Sequence, residues 1–160
     1  MKKSTKLFFT IAALVTLTTA TFAQTIPAEG SLGIRSAIGA QTAIEVPYQI
    51  NESLSLAPAL TFVGIEDTQT TFGLGIRPRY YTAASENIST YATGNLGFQN
   101  TSFDAGGSAT FFVLGVGYGA EYFFSNAFSM SADANLTSNL GDEITNTLTT
   151  GARVSATVYF

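Results

Sequence analysis

The stretch Leu148-Thr-Thr-Gly-Ala-Arg-Val-Ser-Ala-Thr-Val-Tyr-Phe160 decides how the chain is read. Every second residue counted back from its end gives Phe160, Val158, Ala156, Val154 and Ala152, while Tyr159, Thr157, Ser155, Arg153 and Gly151 lie between them. A repeat of two is the mark of a β-strand, because successive side chains leave opposite faces. One face tolerates hydrocarbon; the other carries a guanidinium and hydroxyls. Such a strand calls for lipid on one side and a polar interior on the other.

The pattern recurs seven times upstream. Residues 31–39 set Leu32, Ile34 and Ile38 against Gly33, Arg35 and Ala37, and residues 42–50 set Ile44, Val46, Tyr48 and Ile50 against Glu45 and Gln49. A tight hairpin at Gly39-Ala40-Gln41 puts Arg35 opposite Glu45. Three further runs read as strands over residues 54–62, 72–81 and 88–99. The most pronounced run then has Phe112, Leu114, Val116, Tyr118, Ala120, Tyr122 and Phe124 on one face, with Gly115, Gly117, Gly119 and Glu121 on the other. Residues 128–137 alternate around Asp133 before the closing strand.

Eight strands are an even number, as a closed antiparallel barrel with both termini at one end requires. The fold expected is therefore all-β, an eight-stranded antiparallel up-and-down transmembrane β-barrel. Residues 51–53, 82–87 and 125–126 read as periplasmic turns, and residues 100–107 and 139–146 as longer outer loops. Pro58 and Pro78 interrupt two runs; a turn centred on Thr68 makes them face each other, with a bulge or break expected there. Two aromatic girdles are expected. Tyr48, Tyr80, Tyr122, Phe124, Phe128 and Phe160 form the periplasmic one, and Phe62, Phe72, Phe98 and Phe112 the outer one.

At the start of the chain, Lys2, Lys3 and Lys6 precede an apolar run over residues 7–20 and the small-residue site Thr21-Phe22-Ala23. This is the build of a secretory signal peptide over residues 1–23, cleaved near Ala23 to leave residues 24–160 as one barrel domain. The run is shorter than the roughly 18 to 20 residues of a spanning helix. Cleavage removes all three lysines and leaves four arginines against eleven acids, a net charge of −7. That balance excludes a nucleic-acid partner, which needs clustered cations. Absence of cysteine and histidine removes disulfides, thiolate or imidazole metal sites and histidine-based acid–base catalysis.

The informative polar residues are the arginines, because Arg35, Arg77, Arg79 and Arg153 all fall on the inward phase of a strand. Glu45, Glu121 and Asp133 share that phase, so these seven are expected to form a lumen charge network, an unpaired buried charge costing several kcal/mol. Glu121 and Asp133 invite comparison with a catalytic carboxylate pair, but inward arginines are their expected partners. The Gly115-Gly117-Gly119 series lies in a strand and is read as making room for Tyr91. The acidic tips Glu66-Asp67 and Asp142-Glu143 read as solvated. No cofactor, metal or enzymatic activity is expected.

The eight alternating runs, the short turn Phe124-Ser-Asn-Ala-Phe128 and the closing Val158-Tyr-Phe160 resemble the small outer-membrane β-barrels, of OmpA-transmembrane-domain and OmpX type. The resemblance implies an integral protein of a Gram-negative outer membrane, in contact with lipid and lipopolysaccharide, whose terminal Phe160 is read by the barrel assembly machinery. It implies a structural or surface-interaction role. No peptidoglycan-binding domain of the OmpA kind is expected, and the outer loops are expected to be too short for the protruding sheet of OmpX. A narrow porin-like channel is the alternative, set apart by conductance; a soluble barrel of lipocalin type would reverse the two faces.

Overall fold

The computed structural model describes residues 26–40, 42–141 and 146–160. The signal peptide, the cleavage site at Ala23, Gln41 and the acidic pair Asp142-Glu143 lie outside the described residues.

Nine strand segments close one antiparallel barrel, and no helix occurs among the described residues. They are β1 (Gly33–Gly39), β2 (Ala43–Glu45), β3 (Tyr48–Gln49), β4 (Leu54–Ile65), β5 (Gln69–Ser85), β6 (Ile88–Phe103), β7 (Ser108–Ser125), β8 (Phe128–Leu140) and β9 (Thr147–Tyr159). Apart from β2 and β3, each pairs with its sequence neighbours, and β1 pairs with β9 to complete the circle. Because β2 and β3 both pair with β4, they are two halves of one stave, and the barrel has eight positions.

The split has a cause that the sequence reading passed over, a third proline. Pro47 cannot donate to a ladder, and the strand lapses at Val46-Pro47. Two bonds hold the gap together, Val46 N–H to Pro58 O at 2.9 Å and Gly33 N–H to Pro47 O at 2.9 Å. A hydrogen-bonded antiparallel pair exchanges two bonds, and Pro58 has no N–H to return.

Pro58 and Pro78 do not face each other. Pro58 lies opposite Ile76 and Leu56 opposite Pro78, because the turn is centred on Asp67 rather than Thr68. Asp67 adopts φ 56°, the left-handed residue that three-residue hairpin loops use. The β4–β5 ladder runs unbroken; the local break falls instead between β5 and β6, where Arg77 and Pro78 have no ladder partner and Thr93 Oγ1 donates to Pro78 O at 3.0 Å.

One expected turn and one expected loop are in good part strand. Residues 82–85 continue β5, with Thr82 bulged between Tyr81 and Ala83, and residues 100–103 continue β6, leaving only residues 104–107 as connection. Strand β5 has 17 residues and β7 has 18, which is 55 to 60 Å at about 3.3 Å per residue, far beyond an apolar band of roughly 25 Å. At the end away from the termini, residues 61–65 of β4 pair only with β5, and residues 108–111 of β7 only with β6. The β4–β7 sheet therefore stands above the rest of the barrel, contrary to the expectation drawn from loop length.

The faces are arranged inside out. Val116 is 65% exposed and Phe62 68%, whereas Arg35, Arg79 and Glu45 are at 0%. The outward aromatics Tyr48, Tyr80, Tyr122, Phe124 and Phe160 at one end, and Phe62, Phe72, Phe98 and Phe112 at the other, are all exposed.

Candidate functional site: the charged lumen

The inward phase of every strand delivers its polar residues to one axis, and all seven charged residues singled out in the sequence meet there. Arg35 and Glu45 are register partners across the first hairpin, and Arg35 Nη1 lies 3.1 Å from Glu45 Oε2. Glu45 is the hub: its Oε1 also faces Arg153 Nη1 at 2.7 Å and Arg77 Nε at 3.3 Å. Three guanidiniums from β1, β5 and β9 thus converge on a single carboxylate of β2.

Asp133 of β8 lies opposite Arg153 in the β8–β9 register. Its Oδ2 accepts from Arg153 Nε and Nη2 at 3.2 and 3.1 Å and from the Tyr91 hydroxyl at 3.0 Å; its Oδ1 accepts from Asn135 Nδ2 at 3.3 Å. Nearer the termini, Glu121 forms a second centre. It accepts from Arg79 Nη1 at 3.0 Å, from the Tyr81 and Tyr159 hydroxyls at 2.9 Å each, and from Ser129 Oγ.

Other guanidinium atoms are engaged as well, while Arg35 Nη2 and Arg79 Nε are buried without a hydrogen-bond partner among the described residues. Arg79 Nη2 donates to Ser131 Oγ at 3.1 Å, and its Cζ stands 4.1 Å from the Tyr91 ring centroid, a cation–π contact. Arg35 Nε donates to Thr157 Oγ1 at 3.0 Å. Below Glu121, Phe123 at 1% exposure stacks on Tyr159, ring centroids 6.4 Å apart, and fills the terminal end of the lumen.

Glu121 and Asp133 do not form a pair. Glu121 lies opposite Ser131 and Asp133 opposite Gly119, and each carboxylate is engaged by a different arginine. Gly119 faces Tyr91 on β6, as expected; a Cβ there would collide with Ala132 O and lie 2.6 Å from Asp133 Cβ. The glycine is what lets Asp133 and Tyr91 approach. The sequence reading missed the carboxylate-binding hydroxyls of Tyr81, Tyr91 and Tyr159 and the inward Phe123. Their signal was phase alone, each lying one residue from an outward side chain.

Towards the other end the lumen opens. A cup of about 320 Å³ is lined by Thr61, Thr71, Gln99, Thr137, Asn139 and Thr149, among others. Beneath it lies a cavity of about 10 Å³ between Arg77, Arg153, Asp133 and Asn135, and Thr137 borders both. Among the described residues no group of three or more His, Cys, Asp or Glu residues is placed to hold a metal ion.

No protein-family model and no curated protein matches the chain by sequence. Solved structures do match by shape. The N-terminal β-barrel domain of Pseudomonas aeruginosa OprF superposes with a TM-score of 0.66 at 16% identity, covering 82% of this chain and 98% of that one. Neisserial surface protein A gives 0.55 at 18% identity, over 81% and 92%. A de novo designed transmembrane β-barrel gives 0.52 at 11% identity, over 86% and 99%. The chain has the fold of the small eight-stranded outer-membrane β-barrels.

Proposed function

We propose that this chain is a small integral barrel of a Gram-negative outer membrane, without enzymatic activity, that serves a structural or surface-interaction role and keeps its lumen shut. The observation that carries this reading is the closed chain of contacts from Arg77 and Arg153 through Glu45 and Arg35, and from Arg79 through Glu121 to Tyr159 and Phe123, across an interior that eight strands leave only wide enough for side chains. Every carboxylate in it is saturated by cations and hydroxyls, which argues against one held ready for proton transfer.

The surface role draws support from the raised β4–β7 sheet, with Ile65 at 49% and Phe103 at 41% exposure near its rim. Unpaired strand edges and apolar side chains at a rim are features that partners use. The signal-peptide reading of residues 1–23 supports export, and the exposed terminal Phe160 fits a signal for the barrel assembly machinery. Lipid and lipopolysaccharide would be the standing partners of the outer wall.

Fractionation followed by planar-bilayer conductance tests the proposal. The protein should fractionate with outer membrane and give no stable openings. Stable openings that change with Arg77→Ala would establish the narrow channel instead.

A further inference from the structure

We infer that the open end of the lumen is a binding cup for a neutral saccharide, a ring of a free sugar or of the end of a glycan, held by uncharged hydroxyls and amides. The inference starts from what the strands send to this level. Nearer the termini their inward phase carries arginines and carboxylates. At the cup the same phase carries Thr61, Thr71, Gln99, Thr137, Asn139 and Thr149, and no charged side chain occurs among the described lining residues. Arg77 and Arg153 line only the small cavity beneath.

The chemistry of the wall selects the class of ligand. Part of its hydrogen-bonding capacity is spent: Thr71 Oγ1 shares a bond with Thr101 Oγ1 at 2.9 Å, Thr149 Oγ1 donates to Thr137 O at 3.4 Å, and Asn139 Nδ2 donates to Thr147 Oγ1 at 3.2 Å. The side chains of Thr61, Gln99 and Thr137 bond to no other described residue, although Thr137 is only 6% exposed. Each of these hydroxyl and amide groups offers both a donor and an acceptor, and a ligand rich in hydroxyls answers both at once. An ion would meet no opposite charge in the wall, and an apolar molecule would leave the hydroxyls beneath it unsatisfied. Gly39, Ala40 and Val63 complete the lining without a polar side chain, a surface that suits the C–H face of a sugar ring.

Space permits the ligand. The cup of about 320 Å³ stands at the lower end of the roughly 300–1,000 Å³ range of small-molecule sites, which favours a single ring over a longer molecule taken in whole. The cavity beneath, of about 10 Å³, takes one water at most, so the charged network stays behind the floor and a sugar enters and leaves by the same mouth. Thr137 borders both spaces and puts its buried hydroxyl at that floor. The inference goes beyond the role proposed above, which needs no ligand in the lumen.

The test is an NMR titration of the folded protein in alkylphosphocholine micelles, which carry no sugar, with D-glucose, D-galactose and maltotriose as probes. Saturable shifts are expected at the backbone amides of Thr61, Thr137 and Thr149 and at the Gln99 side-chain amide. Thr149→Tyr fills the cup from an exposed position and should abolish saturation. Thr137→Val keeps the shape, removes the floor hydroxyl and should weaken binding roughly two- to tenfold; a dispersed amide spectrum shows that each variant is folded. Maltotriose binding as well as the single sugars assigns the cup to glycan ends, and weaker maltotriose binding assigns it to free sugars. Absence of saturation with every probe, saturation confined to residues outside the cup, equal affinity in the wild type and both variants, or tighter binding of the charged analogue gluconate would overturn the inference. Because the titration needs neither a membrane nor conductance, its result stands apart from the fractionation and bilayer experiments.

Discussion

Arg35 and Glu45 stand directly opposite each other across the first hairpin, and their charged ends meet at 3.1 Å with both side chains wholly buried. Two strands at the seam of the barrel are thereby locked in register by one ion pair, and Glu45 passes the constraint on to β5 and β9 through Arg77 and Arg153.

Removing the hub should therefore be expensive. Glu45→Gln leaves three buried guanidiniums without their shared carboxylate, and breaking a buried pair from one side costs about 3–5 kcal/mol. Urea unfolding of the refolded protein in lipid vesicles measures this. A loss under about 1 kcal/mol, the level of a surface ion pair, would show that the network does not hold the barrel.

Tyr91 carries two separable interactions. Tyr91→Phe keeps the ring beside Arg79 and removes only the hydroxyl that donates to Asp133, a loss of about 1.5–3 kcal/mol for a hydrogen bond to a charged group. Tyr91→Leu should cost about 0.5–2 kcal/mol more through the missing cation–π contact. Equal stability of the two variants in the same unfolding assay would remove the ring contact from the account.

Glycines of the inward and the outward phase differ sharply in what surrounds them. Gly119→Ala forces a methyl against Ala132 O and Asp133 and should destabilise by about 1–3 kcal/mol, whereas Gly64→Ala meets nothing within 4 Å and should be near neutral. Folding yields of the two variants under identical refolding conditions provide the comparison, and a Gly119→Ala protein as stable as Gly64→Ala would contradict the packing described for Asp133.

Phe160 plays a backbone and a side-chain part. Its N–H donates to Leu32 O at 2.9 Å and its carbonyl accepts from Leu32 N–H at 3.4 Å, while its ring is 71% exposed. Phe160→Ala keeps the backbone pair, and deletion of Phe160 removes both. If the aromatic ring is the assembly signal, both variants lower the folded, heat-modifiable fraction in the outer membrane with export intact. A defect confined to the deletion would assign the effect to strand closure.

The barrel was legible in the sequence wherever lipid enforces alternation. Val154 and Arg153 cannot trade places in a membrane, so the phase of β9 is unambiguous, and the Arg35–Glu45 register followed from one tight corner. Legibility fails where that constraint lapses. Beyond the apolar band both faces are wet, so the polar residues of 82–85 and 100–103 read as loops although they pair as strands. Pro47 was hidden because Val46, Tyr48 and Ile50 keep the outward alternation intact across it. Among the site residues, opposite charges on one phase announced the network, but which arginine meets which carboxylate depends on strand stagger around the whole circumference. No local spacing records that.

The inside-out arrangement itself is most directly tested at two neighbours in β8. Leu136 faces outwards at 40% exposure and Thr137 faces the cup at 6%, and the chain contains no tryptophan of its own. Leu136→Trp and Thr137→Trp thus each place a single fluorophore at nearly one membrane depth on opposite faces of the wall. In vesicles with brominated acyl chains, strong quenching of Leu136→Trp and little quenching of Thr137→Trp is the expected result; equal quenching, or the reverse order, would contradict a barrel with lipid outside and arginines within.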